Sequence, residues 1–144
     1  MGALLKLKVC LVSFGLFLFS SSVLGGSVAT VYFVPFEIET YVPITRDTII
    51  SDAWEKWSLS SESEASRLLA LLNHGNQDKF DEGNVRALVL YGHHRYFVDS
   101  NGVALGEKSS VKIDKARFVS FGASLRADQR QTLKKPIDMR SGAK

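Results

Sequence analysis

Apolar and polar residues alternate along residues 31–42 (VYFVPFEIETYV), a stretch that is rich in aromatic and β-branched side chains. This pattern predicts a β-strand that ends at Pro43. Pro35 has no amide hydrogen to donate to a neighbouring strand, so the strand is expected at a sheet edge or at a bulge. Glu37 and Glu39 then share one face of that strand.

The next two apolar patterns have the spacing of helices. From Thr45 to about Lys56, apolar residues recur on one helical face, and Thr45 is a suitable N-cap. A second helix is predicted to begin with the capping box Ser61-x-x-Glu64 and to end before Gly75. We expect the two helices to pack as a hairpin.

Three short strands are predicted between residues 84 and 106. The first, Val85–Tyr91, carries apolar residues on both faces, which is typical of a strand in the middle of a sheet. A turn at Gly92-His93-His94 leads to the second strand, Arg95–Asp99. The sequence Asp99-Ser100-Asn101-Gly102 is a strong hairpin signal before the third strand, Val103–Leu105.

The rest of the chain has weaker signals. Residues 111–113 fit a further short strand, and Asp114 fits the N-cap of a helix over Lys115–Phe121, although a strand over residues 116–121 fits equally well. Residues 125–133 fit a short helix, and residues 134–144 fit a basic flexible tail. Together the patterns predict one α+β domain over residues 30–133, with an antiparallel sheet of about four strands. The helical hairpin covers one face, and the element order is β-α-α-β-β-β followed by a short helix or strand.

The first 29 residues have the pattern of a cleaved signal peptide. Lys6 and Lys8 precede the apolar run Val9–Phe19, and small residues follow that allow cleavage after Gly25 or after Ala29. The alternative is a membrane anchor formed by residues 9–29, because no charge occurs between Lys8 and Glu37. We therefore expect a protein that is exported to the periplasm or the extracellular space.

Cysteine usage and charge narrow the class of protein. Cys10 is the only cysteine, so the domain that remains after cleavage has none and depends on its apolar core. This usage fits a bacterial envelope better than an animal extracellular fluid. Residues 37–107 contain 12 acids and 6 bases, whereas residues 111–144 contain 9 bases and 3 acids. The domain is polarised and not basic throughout, so we expect no nucleic-acid partner.

His93 and His94 are the candidate catalytic or metal-binding residues. Adjacent side chains on a strand point to opposite faces, so the pair is poorly placed to chelate one ion. No HExxH or cysteine pattern accompanies them, and we expect neither a metal nor a cofactor. The fragment Asp99-x-Asn101-Gly102 resembles part of a calcium loop, but a turn explains it. Paired glutamates can perform acid–base chemistry, protect a strand edge from aggregation, or bind a basic partner.

These observations favour a non-catalytic domain that binds another protein or a component of the cell envelope. An inhibitor or immunity-type protein is one concrete form of it. Membrane contact is expected only through an uncleaved signal segment or the basic tail. The alternative is a small envelope hydrolase or metal-dependent enzyme that uses His93 or His94 with a nearby carboxylate. The expected contact residues are Glu37, Glu39, Tyr41, His93, His94 and Arg95.

Overall fold

The computed structural model describes residues 26–134. The predicted signal segment up to residue 25 and the tail from residue 135 lie outside the described residues. The described part contains the following elements: β1 (Ala29–Phe33), α1 (Ile49–Asp52), β2 (Glu55–Leu59), α2 (Glu62–Asn73), β3 (Val85–Tyr91), β4 (His94–Asp99), β5 (Val103–Leu105), β6 (Ser110–Lys112), α3 (Lys115–Ser124), a 3₁₀ turn (Ala127–Gln129) and β7 (Arg130–Thr132).

One antiparallel sheet contains all seven of these strands, in the order β6-β5-β4-β3-β1-β2-β7. The α+β class and the antiparallel sheet are confirmed. The sheet has more strands than the four predicted, and the elements follow one another in a different order. The central position of β3 between β4 and β1 agrees with its apolar residues on both faces.

The predicted helical hairpin is wrong, because most of its first helix, from Thr45 to about Lys56, is not helical. Only Ile49–Asp52 is helical, and Glu55–Leu59 forms β2 between β1 and β7. In β2, Trp57 and Leu59 are buried and alternate with partly exposed residues. The apolar positions before Trp57 fit a helical period, but pairing with β1 imposes the strand period on this segment. The helix that lies beside α2 is α3.

The first strand is shorter and more central than predicted. It ends at Phe33, and it pairs with β2 on one side and with β3 on the other. The Val34 N–H still donates to the Arg86 carbonyl, at 2.7 Å. Pro35 has no hydrogen to donate, so the chain leaves the sheet there and does not continue as an edge strand. Residues 35–43 are irregular, and Glu37 and Glu39 therefore lie in a loop.

The helix starts follow from their caps. Ser61 Oγ accepts the Glu64 N–H at 3.2 Å, and the Glu64 carboxylate accepts the Ser60 N–H at 2.9 Å, as in a capping box shifted by one residue. Asp114 accepts the Arg117 N–H at 3.2 Å and begins α3, so the helical alternative for this segment is confirmed. The short helix predicted over residues 125–133 is instead the 3₁₀ turn and β7.

An aromatic cluster joins α3 to one face of the sheet, in a core that also contains Leu68 and Leu72 of α2. The rings of Phe33, Trp57 and Phe118 lie 5.1–5.6 Å apart, which suits tilted aromatic packing. Gly122 on α3 makes this approach possible, because a Cβ there would lie 2.3 Å from the Trp57 ring. The other face of the sheet is covered by α1 and by irregular segments, and its core contains Val34, Ile44, Ile49, Phe80, Val85, Leu88 and Val103.

Candidate functional site

Residues 35–43, here called the contact loop, form the most exposed apolar feature among the described residues. The loop leaves the sheet after Val34 and returns at Ile44, which bridges to Asn84 just before β3. At its tip the Tyr41 side chain is fully exposed and Val42 is 73% exposed. Two neighbouring exposed apolar side chains form a small patch that a partner could cover.

The loop is held from beneath by a buried arginine. Arg86 lies at a bulge of β3, is 4% exposed, and donates from Nη2 to the Ile38 carbonyl at 3.1 Å and from Nη1 to the Val85 carbonyl at 3.2 Å. Its Nε has no partner among the described residues, and no carboxylate there forms an ion pair with it. Burial lowers the pKa of the Arg86 guanidinium because the charged form loses solvation.

A second buried polar group organises the chain where the loop re-enters the sheet. The Asp99 carboxylate is fully buried and accepts three backbone N–H groups, from Asp81 (2.8 Å), Asn101 (2.9 Å) and Val103 (2.8 Å). The Asp99 carboxylate thus closes a turn, and Gly102 takes the positive φ of 80° that this turn requires.

Asp81 continues this network toward the loop. The Asn84 amide donates to its carboxylate at 2.7 Å and the Gly83 N–H donates at 3.1 Å, and these bonds hold the pKa of the Asp81 carboxyl below its ordinary value. Asn84 in turn bridges to Ile44 at the end of the contact loop. Both ends of the loop are therefore fixed to buried groups of the sheet.

The acidic residues predicted as contacts lie on this loop. Glu37 and Glu39 are both exposed, and neither forms an ion pair with a described residue. Lys115 Nζ lies 5.5 Å above the Phe36 ring at the start of the loop. The contact loop thus presents an aromatic and an aliphatic side chain at its tip and two exposed carboxylates nearer its start.

The predicted histidine site is an exposed hairpin tip between β3 and β4. Gly92, with φ 58°, and His93 form a two-residue turn in which glycine takes the first central position. His93, His94 and Arg95 are all exposed. His94 Nδ1 lies 2.9 Å from Glu107 Oε1, and the two side chains are 53% and 59% exposed.

The surroundings of the hairpin tip give the histidines no enclosed environment. Among the main clefts of the described part, none is lined by His93 or His94. Arg95 lines one open cleft of about 560 Å³ together with Phe97 and the Arg46–Glu82 ion pair. Beside the tip, the Tyr91 hydroxyl donates to Glu62 at 2.8 Å, which raises the pKa of the phenol.

The structure does not bring the six predicted contact residues together. The contact loop lies at the end of β3 where Val85 begins the strand, and the hairpin tip lies at the end where Tyr91 finishes it. At about 3.3 Å per residue, this strand separates the two groups by about 20 Å. Glu37, Glu39 and Tyr41 therefore belong to one surface, and His93 and His94 to another. Arg95 lines the cleft that also contains Thr45 and Glu82.

Two features of the molecule have weak sequence signals. The lone arginine inside the apolar strand VRALVLY is the only hint of the buried anchor Arg86. A groove of about 400 Å³ forms where α2 and α3, which are distant in sequence, pack side by side, so no local pattern predicts it. It is lined mainly by apolar atoms of Ala70, Leu71 and Phe121, and Arg67 and Arg117 stand at its rim.

Within residues 26–134, no group of three or more His, Cys, Asp and Glu side chains is placed to hold a metal ion. No helix in this described part is long and apolar enough to cross a membrane. Comparisons of the chain with protein-family models, with curated proteins and with solved structures find no match.

Proposed function

We propose that the protein is an exported, non-catalytic domain that binds a partner protein through the contact loop. The observation that carries this proposal is the full exposure of Tyr41, on a loop whose backbone is held by the buried Arg86. An inhibitor or immunity-type protein of the cell envelope is one concrete form of such a domain.

Tyr41 and Val42 supply the apolar part of the proposed interface. Tyrosine is enriched among the residues that dominate binding energy, because its ring buries a large area and its hydroxyl can still find a hydrogen-bond partner. Arg86 fixes the Ile38 carbonyl, so part of the ordering of the loop is complete before binding. This preorganisation lowers the entropy cost of association.

Glu37 and Glu39 supply the polar rim and suggest the charge of the partner. Exposed carboxylates without an ion-pair partner among the described residues favour association with a cationic surface and raise its rate. We therefore propose a partner with an apolar pocket for Tyr41 that is bordered by lysine or arginine.

The enzyme alternative has one favouring observation, the 2.9 Å contact between His94 and Glu107. A carboxylate can orient a histidine that acts as a general base. This pair is half exposed to water, however, and an exposed site provides little of the desolvation that strengthens catalytic electrostatics. The binding proposal therefore has the stronger support.

Capture from envelope extract of the organism that encodes the protein tests the binding proposal. The bait is the wild-type protein, compared with Tyr41→Ala, with Glu37→Lys/Glu39→Lys, and with His93→Ala as a matched exposed change at the hairpin tip. We expect one protein to be captured by the wild type and His93→Ala. Tyr41→Ala should weaken its binding by about 2 kcal/mol, or roughly 30-fold.

Because Tyr41 is exposed, the unfolding midpoint of Tyr41→Ala should match that of the wild type, which excludes misfolding as the cause. Equal capture by all four baits would overturn the assignment of the contact loop. Loss of capture only with His93→Ala would move the interface to the hairpin tip.

A further inference from the structure

The beginning of β1 shows which residues before it the fold requires. Gly26 and Ser27 are exposed, whereas Val28 packs against the core and its N–H donates to the Leu59 carbonyl at 2.8 Å. Ala29 is 2% exposed and pairs with strands on both sides. The folded domain therefore uses the chain from Val28 onward, and the two described residues before it, Gly26 and Ser27, are exposed.

The sequence allows export processing at two bonds, and the two products differ in what they retain. Cleavage after Ala29 removes the buried Ala29 and leaves the Leu59 carbonyl without the Val28 N–H. It also places a new ammonium group on Thr30, which lies inside the sheet between Ser58 and Leu90. A charged terminus among paired strands is costly unless it is solvated or paired.

Cleavage after Gly25 retains the whole of β1. The new ammonium group then lies on the exposed Gly26, two residues before the chain enters the sheet. Gly25 supplies the small residue that precedes a signal-peptidase cleavage site, as Ala29 does for the other bond. The residue two positions earlier is Val23 for the Gly25 bond and the smaller Ser27 for the Ala29 bond. Of the two bonds, however, only the one after Gly25 gives a product with an intact β1.

We infer that the protein is processed between Gly25 and Gly26, which rests on the export part of the proposed function. In this hydrolysis, the Gly25–Gly26 amide bond breaks as water gives its hydroxyl to the Gly25 carbonyl carbon and a proton to the Gly26 nitrogen. The new carboxylic acid then passes its proton to the new amine, so the leader leaves with a carboxylate and Gly26 carries an ammonium group. The mature N-terminus then lies at the hairpin-tip end of β1, and the contact loop lies at the other end.

The N-terminus of the full protein recovered from the envelope of the producing cell tests this inference. A mass and terminal sequence that begin at Gly26 are expected. A start at Thr30, or at any other internal residue, overturns the inference and leaves export intact. A start at Met1 in the membrane fraction overturns it in favour of an anchor, and a start at Met1 in the cytoplasm overturns the export proposal itself.

Two variants of the full chain distinguish the bonds independently. Gly25→Leu puts a bulky residue before the proposed bond, and we expect the uncleaved precursor to increase at least tenfold relative to mature protein. Ser27→Lys puts a charge at the small position two residues before Ala29, at an exposed site of the fold, and processing should be unchanged. The reverse pattern, with cleavage blocked only by Ser27→Lys, overturns the inference.

Discussion

The contact loop and the hairpin tip, residues 91–95, are both exposed and both rich in polar and aromatic side chains, but the sheet supports them differently. Arg86 is buried beneath the loop and Asp99 is buried opposite Val85, where the loop returns to the sheet, and each makes two or more hydrogen bonds to backbone groups. The tip consists of a two-residue turn and the exposed His94–Glu107 pair. Only the loop depends on buried charge for its conformation.

Buried charge is informative because it is costly. A guanidinium without a carboxylate partner loses solvation that two carbonyl bonds only partly replace, and replacing buried ions by apolar residues often stabilises proteins. A hairpin tip needs no buried charge to keep its conformation, since a glycine in the turn and pairing of the two strands are sufficient. The cost of Arg86 therefore favours a role for the loop conformation beyond folding, and the tip provides no comparable indication.

The largest expected effect is that of Asp99→Ala, beneath the loop. The change leaves three backbone N–H groups without their shared acceptor. We expect a loss of about 3–5 kcal/mol in the free energy of unfolding, measured by denaturant titration. Asp99→Asn keeps one acceptor oxygen and should lose less. A loss below about 1 kcal/mol for Asp99→Ala would show that this network does not support the loop end of the sheet.

At the end of the sheet nearest the hairpin tip, the hydrogen-bonded carboxyl group is that of Glu64 on α2. Burial by itself raises the pKa of Glu64, but bonds from the Ser60 N–H and the Gln129 amide outweigh it and hold the pKa below its ordinary value of 4.5. A carboxyl with a lowered folded pKa stabilises the protein above its unfolded pKa, and this contribution is lost as pH falls through the folded pKa.

We therefore expect unfolding free energy to fall on acidification below about pH 4.5, and Glu64→Gln to flatten this dependence. Gln129→Ala should reduce the pH dependence only partly, because Glu64 keeps its other hydrogen bonds. The double variant should resemble Glu64→Gln alone, because both changes act on the same Gln129–Glu64 contact. Urea titrations between pH 7 and 3 provide the measurement. An unchanged slope in Glu64→Gln would place the acid sensitivity at other carboxyls, such as Asp81.

Sequence predicted elements well where the signal is local. The caps Ser61 and Asp114 start α2 and α3, and the turn residues Gly92 and Gly102 delimit β4. The strands β2 and β7 were missed because pairing across the chain, and not local preference, decides them. Trp57 fits a helical stripe as well as a strand face until β1 lies beside it.

The candidate site, too, has a part that local sequence predicts and a part that only the fold reveals. The exposed acids and Tyr41 can be identified from the sequence, but the alternating pattern of residues 31–42 places them on a strand, with Pro35 at a sheet edge or at a bulge. In fact Pro35 marks the end of β1, and the loop begins there. Arg86 could be noticed as a lone charge in an apolar strand, but its contact with Ile38 joins residues 48 positions apart and requires the fold.

Arg86→Met separates the loop conformation from overall stability. Methionine keeps much of the buried apolar stem and removes both the carbonyl bonds and the unpaired Nε, so we expect a change within about 1 kcal/mol in unfolding free energy. Amide hydrogen exchange should accelerate in residues 36–43 and partner capture should decrease. Arg86→Lys, which keeps the charge and a donor, should lie between. Unchanged exchange in the loop would show that Arg86 does not hold it.

The smallest effect is expected at the tip, where His94→Ala removes the contact with Glu107. An exposed pair contributes little to stability, because water competes for both groups and two side chains lose rotamer freedom. We expect a change within about 0.5 kcal/mol in unfolding free energy and unaltered partner capture, with Glu107→Gln as the matched variant. A tenfold loss of capture in both variants would reverse the comparison, because the surface with the least structural support would then carry the function and the buried Arg86 would be only a feature of folding.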